Sequence, residues 1–188
     1  MRFMTGQNVK GIHLANVFRF VKWKRGILGL RRFQEAIKGL PGCSRADETT
    51  FIEKDWYDYG LYMKLLDAAD RVVGTGDLSK IYEIGLWNIR NLGYLSYLAR
   101  KPNIVEFIQG AIKGWNNVYD FGGVELVENH PKRIVMRYRG FPAAPEKCQY
   151  FRGSLTGMME ICGLDGKAEE TACNTKEAEY CEFTLTWN

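Results

Sequence analysis

The chain has only two histidines, His13 and His130, in 188 residues. That is too few to suggest histidine-based acid–base catalysis at neutral pH. Nor is there a Ser/His/Asp or Cys/His arrangement, or a glycine-rich phosphate loop. Gly74-Thr75-Gly76 lacks both a preceding strand and a following Gly-Lys-Ser/Thr, so it reads as a loop. No stretch reaches the length of a membrane-spanning helix. The opening segment is polar and broken by Gly6 and Gly11, unlike a signal peptide. No DNA-reading motif or RNA-stacking platform occurs, so no nucleic-acid partner is expected. The cysteines number five, an odd count. The expectation is a reducing, cytoplasmic setting in which they are buried, structural or metal-binding.

What is present suits a folded core. Apolar residues make up 46% and charged residues 26%, and the length fits one domain spanning 1–188. Ten Tyr, ten Phe and five Trp serve either a core or an apolar pocket. Charge is uneven along a chain of net +4. Residues 1–46 carry Arg2, Lys10, Arg19, Lys22, Lys24, Arg25, Arg31, Arg32, Lys38 and Arg45 against Glu35 alone. The C-terminal stretch holds Glu160, Asp165, Glu169, Glu170, Glu177, Glu179 and Glu182. A solvated helix face explains the basic end, and opposite ends also suit complementary association.

Periodicity places the elements. Residues 9–23 predict a first helix, with Ile12, Ala15, Phe18 and Val21 on one stripe. Gly26 and Gly29 interrupt it, and a second helix runs to Gly39 and Pro41. Asp55 is the expected N-cap of a third helix ending at Gly74. A fourth starts at Asp77 or Ser79 and is apolar nearly all round; its interior Gly85 and Gly93 call for a packing or functional reason. A fifth begins near Asn103. From Gly122 the pattern alternates: Ile134, Met136 and Tyr138 oppose Val135, Arg137 and Arg139, with a turn at Asn129-His130-Pro131. A helix from Cys148 and a terminal hairpin follow. The prediction is an α+β fold: five helices (9–121), then hairpin, helix and hairpin (122–188) forming a four-stranded antiparallel sheet.

Four of the five cysteines lie between Cys148 and Cys181. Cys148, Gly153, Gly157, Gly163, Glu169-Glu170, Cys173, Cys181 and Phe183 together resemble the bacterial 4-vinyl-reductase-type domain. That family is similar in fold to haem-NO-binding sensor domains and to TRAPP vesicle-tethering subunits. The helical half, from Val9 through Trp56 to Trp87, resembles a myxobacterial paralogous family of the same superfamily. In aromatic-sensing members a zinc ion is held by Cys, Glu, Cys and Cys, which implies Cys148, Glu170, Cys173 and Cys181 here. Side chains alternate along a straight strand, so that set requires a bulge to bring Glu170 and Cys173 together. Otherwise Glu169 substitutes, or the cysteines are buried apolar residues of a strand pair.

The resemblance also implies a pocket between the central helices and the sheet, lined by Trp87, Tyr94, Phe107, Trp115, Met136 and Phe151. The function implied is a non-enzymatic regulatory domain that binds a small hydrophobic molecule, forms homodimers and acts through a separate signalling protein. A dimerising scaffold and an accessory role in tetrapyrrole metabolism are the alternatives. Haem is not expected, because neither histidine sits in a matching helix and no Tyr-x-Ser-x-Arg occurs.

Overall fold

The computed structural model describes residues 6–99, 103–176 and 178–188; Arg2, the Lys101-Pro102 helix restart and Glu177 lie outside them. The fold is α+β. Its elements are β1 (Asn8–Lys10), α1 (Gly11–Ile37), β2 (Trp56–Asp58), α2 (Tyr59–Val73), α3 (Ser79–Arg90), α4 (Ile104–Lys113), β3 (Gly123–His130), β4 (Arg133–Arg139), α5 (Pro145–Ile161), β5 (Gly166–Ala172) and β6 (Cys181–Trp187). All pairs in the main sheet are antiparallel, in the order β3-β4-β6-β5. The two predicted hairpins are therefore joined through their second strands. Cys181, Phe183 and Leu185 alternate inward along β6 and are fully buried, as the period of two requires. The outer strands carry charges, including Glu125 and Glu128 on β3 and Lys167 and Glu169 on β5, which discourage edge-to-edge pairing.

The helical half differs from the periodicity reading in three places. The first two predicted helices form one element, α1, bent where Gly26 leaves helical geometry at φ 64°; Gly29 stays helical. Trp56–Asp58 does not open a helix but pairs with Asn8–Lys10, so aromatic β-formers beside a partner strand override the helical pattern. α2 then starts at Tyr59, and Asp58 caps it by accepting from the Leu61 N–H at 2.7 Å. The long fourth helix stops at Arg90, and the chain continues as a 3-10 segment, Gly93–Ala99, entered through Gly93 at φ 55°. At the start of α3, the buried Asp70 carboxylate of α2 accepts from the backbone N–H groups of Leu78 and Lys80 at 2.9 and 2.8 Å. These are donors a helix start leaves unpaired, and their use of Asp70 fixes the Gly74–Gly76 loop.

Gly85 has a packing reason. A Cβ there would lie 2.2 Å from the Tyr150 carbonyl oxygen, and one at Gly153 would lie 2.0 Å from the Tyr82 carbonyl oxygen. α3 and α5 thus approach backbone to backbone through facing glycines, which sets the position of Tyr150. Gly153→Ala is expected to lower stability. Overpacking costs about 1–3 kcal/mol and outweighs the roughly 1 kcal/mol that alanine gains in helix propensity. Thermal unfolding should show a fall of a few degrees; an unchanged or raised midpoint would refute the close-contact account.

Candidate functional site

Two sites emerge, one polar and sulfur-rich at the end of the sheet, the other an aromatic cavity beneath α5. At the first, α5 contributes Cys148, β6 contributes Cys181, and the end of β5 contributes Glu170 and Cys173. The Sγ atoms lie 3.4 Å (Cys148–Cys173), 3.7 Å (Cys148–Cys181) and 3.9 Å (Cys173–Cys181) apart. All four ligand atoms, with one Glu170 oxygen, fall within 4.8 Å of one another. A tetrahedron with metal–sulfur bonds of about 2.3 Å has sulfur–sulfur edges of about 3.8 Å, so the spacing matches a four-ligand metal site.

The alternation problem is solved locally. The β5–β6 register shifts between Glu170 and Ala172, and the strand ends before Cys173. This irregularity lets Glu170 and Cys173 face the same point. Among the described residues Glu170 Oε1 is buried without a hydrogen-bond partner, an expensive state unless something occupies the space it faces.

Charge around the cluster is arranged to suit anionic sulfur. Lys147 is almost wholly buried; its Nζ donates to the Pro142 carbonyl at 3.1 Å and to Asn174 Oδ1 at 2.7 Å. The Asn174 backbone N–H donates to Cys181 Sγ at 3.5 Å. The Cys181 thiol is pushed down by its hydrogen bond with Cys148, helped by the Asn174 N–H and the Lys147 charge, while that shared bond and burial push Cys148 up. Cys162, at the end of α5, and Cys43, buried alone near the end of α1, stand outside the cluster.

The second site is a cavity of about 110 Å³ with walls from α3, the 3-10 segment, α4, β4 and α5. Leu92, Leu95, Phe107, Ala111, Trp115, Tyr119, Tyr138, Phe151 and Met158 make most of its surface. Tyr138 stacks on Phe151 with ring centroids 4.3 Å apart, and Trp115 stacks on Tyr119 at 4.7 Å. Of the residues predicted from sequence, the cavity gathers Phe107, Trp115 and Phe151. Trp87 packs edge-on against Phe20 on the other side of α3. Tyr94 lies in a separate surface groove with Lys10, Lys54 and Trp56, turned there by the break at Gly93. Met136 is buried within β4 and is not a cavity residue.

Sequence reasoning missed the cavity's polar end. His13, from the first turn of α1, joins the wall together with Tyr150 and Ser154 of α5. Its Nδ1 lies 2.9 Å from the Tyr150 hydroxyl and 2.8 Å from Asn88 Nδ2, and Asn88 also donates to the Tyr150 hydroxyl. Behind them Asn16 donates from Nδ2 to Asn88 Oδ1 and to the Asn91 carbonyl, the latter at 2.9 Å. Burial pulls the His13 imidazole down from 6.5 to about 3, so it is neutral at physiological pH. The legible signal was Asn16, one helical turn after His13: two polar residues inside an otherwise apolar buried stripe.

No family model matches this chain, and no curated protein matches it. Solved structures do match in fold. An H-NOX protein from S. oneidensis in the Fe(II)NO ligation state superposes with TM-score 0.70 at 14% identity, covering 95% of this chain and 99% of that one. An unliganded Fe(II) H-NOX mutant from K. algicida gives 0.68 at 15%, covering 95% and 96%. An oxygen-binding H-NOX domain related to soluble guanylate cyclases gives 0.69 at 13%, covering 95% of each chain. The fold is therefore H-NOX-like.

This corrects the expectation that haem is unlikely. That expectation rested on histidine placement and the missing Tyr-x-Ser-x-Arg, whereas solved structures that share this fold are H-NOX proteins, described in Fe(II) and Fe(II)NO ligation states and in one case for haem distortion. The residues fit such a group in kind: the walls are aromatic, and Met158 belongs to the side-chain types that haem proteins use. At about 110 Å³ the cavity is of the same order as the roughly 150 Å³ that holds one benzene in an engineered core, room for a single small ring but not for a tetrapyrrole unless its walls move apart. Among the described residues, no helix is long and apolar enough to cross a membrane.

Proposed function

We propose that this chain is a regulatory binding domain of the 4-vinyl-reductase type, taking a small hydrophobic molecule into the aromatic cavity and holding a structural zinc ion at Cys148, Glu170, Cys173 and Cys181. The observation that carries the binding role is the cavity itself: apolar walls with one convergent polar group are the usual make-up of a small-molecule site. Zinc is supported by the thiol spacing and the unpartnered Glu170 oxygen. Three thiolates and a carboxylate around Zn²⁺ leave a net negative cluster, which the buried Lys147 partly offsets. A closed four-ligand site clamps α5 to the terminal hairpin and contributes to folding rather than to chemistry.

The reading is non-enzymatic, with the signal passed to a separate protein by a homodimer. Trp23, Ile27 and Leu28, exposed at the bend of α1, offer apolar surface to such contacts. Filling the cavity tests the binding role. Ala111→Phe is expected to weaken benzene binding at least about tenfold by calorimetry while leaving the melting temperature unchanged or higher. Equal binding by both forms would place the ligand elsewhere.

Haem is a second reading, favoured by the fold and by the cavity's aromatic walls. Trp115, Tyr119 and Phe151 would flank the ring, with Met158 the thioether beside it. Bound haem supplies an iron that takes diatomic gases. Titration with haemin settles it: a saturable Soret band that shifts in Met158→Leu supports haem, and its absence leaves the small hydrophobic ligand.

A further inference from the structure

The hydrogen-bond chain behind the cavity fixes where the His13 proton sits, and with it the chemistry a ligand must present. Arg19 can only donate, and its Nη1 lies 3.0 Å from Asn16 Oδ1. That sets the Asn16 amide, whose Nδ2 donates to the Asn91 carbonyl, an obligate acceptor, at 2.9 Å and to Asn88 Oδ1. The Asn88 amide is set in turn: its Nδ2 faces His13 Nδ1 at 2.8 Å and donates. His13 Nδ1 is thereby an acceptor, and a neutral imidazole with an accepting Nδ1 carries its proton on Nε2. Nε2 is buried with no hydrogen-bond partner among the described residues, on a residue that lines the cavity. A buried N–H of this kind costs free energy until an acceptor meets it.

We infer that the ligand carries a hydrogen-bond acceptor, a carbonyl or ring-nitrogen lone pair, which receives the proton of His13 Nε2 while its apolar body lies against Phe151 and Trp115. The inference rests on the cavity being the binding site and deepens that reading. It makes His13 a donor to the bound molecule and not a metal ligand. The Arg19–Asn16–Asn88 chain acts as a positioning device: it selects the tautomer, and Arg19 is anchored at the surface by Glu53 at 2.8 Å. The titratable groups packed around His13, Tyr62, Tyr119 and Tyr150, with ring centroids 5.5–6.1 Å away, are neutral phenols that burial keeps from ionising near neutral pH.

Three rings of nearly equal size test this at neutral pH: pyridine, which only accepts; benzene, which does neither; and pyrrole, which only donates. Titrated calorimetrically on the intact protein, pyridine is expected to bind about tenfold more tightly than benzene, the worth of one buried donor satisfied, with pyrrole no better than benzene. His13→Phe should bring pyridine and benzene level. Equal affinities of pyridine and benzene for the wild-type cavity overturn the inference but leave the cavity reading intact. Failure of all three rings to bind removes the cavity reading and the inference with it. Should the variant not fold, the ¹⁵N spectrum of histidine-labelled wild type decides. A proton on His13 Nε2 is expected; a proton on Nδ1, or on both nitrogens, overturns the assignment.

Discussion

Cys181→Ser is expected to bind no zinc and to melt about 10 °C below the wild type in zinc-containing buffer. A ligand that binds only the native state stabilises it by about 4 kcal/mol when present a thousandfold above its dissociation constant. For a chain of this size each kcal/mol moves the midpoint by roughly 2–4 °C. The serine hydroxyl is a poor replacement because the soft thiolate is the ligand, and the three sulfurs already sit 3.4–3.9 Å apart. Adding a chelator to the wild type should reproduce most of the loss, and Cys162→Ser, outside the cluster, should not. Elemental analysis of purified protein reads the stoichiometry directly. One zinc retained by Cys181→Ser, with an unchanged midpoint, would reduce the cluster to packed thiols.

Acid should destabilise this fold through His13 by up to about 1.4 kcal/mol per pH unit between roughly pH 6.5 and 3. In the unfolded chain the imidazole takes a proton below its ordinary value of 6.5, whereas in the folded chain burial delays this to about 3. Across that window the unfolded state binds more protons, so stability rises with pH. The contribution is fully present above 6.5 and is lost as pH falls towards 3. None of the surrounding groups (Tyr62, Tyr119, Tyr150 and Asn88) changes charge in that range. Carboxylates also titrate below pH 5, so the informative quantity is the difference between wild type and His13→Phe in urea unfolding at a series of pH values. The variant, weaker at pH 7 because Asn88 loses one of its two acceptors, should show the shallower slope between pH 6.5 and 5. Identical slopes would mean that His13 is solvated or protonated in the folded protein.

Much of the sheet half was legible because its signals are local. The period-two run from Arg133 to Arg139, the Pro131 turn and the alternation of Cys181, Phe183 and Leu185 each lie within a few residues, and the family resemblance carried by the tail implied the cluster. The helical half was less legible because tertiary pairing overrode local preference. Val9 opposite Tyr57 turned a predicted helix start into a strand, and Gly26 bent a helix instead of ending it. Beyond the Asn16–His13 spacing, the partners at the polar end of the cavity could not be read from the chain. His13 meets Asn88 75 residues on and Tyr150 137 residues on, and no spacing rule links positions that far apart. Trp87 and Tyr94 fell to different surfaces because a straight fourth helix was projected where the chain in fact breaks at Gly93.

Methionine methyl resonances test most directly whether the space below α5 receives a ligand. Met158 lines the cavity. Its neighbour Met159 is fully buried but outside the cavity lining, its sulfur packed near Gly166 instead. In a protein labelled at the methionine methyls and titrated with benzene or pyridine, the Met158 resonance should shift saturably at one equivalent while Met159 stays close to its starting position. A Met158 resonance unmoved at saturating ring concentrations, or one that moves no more than Met159, would contradict the account.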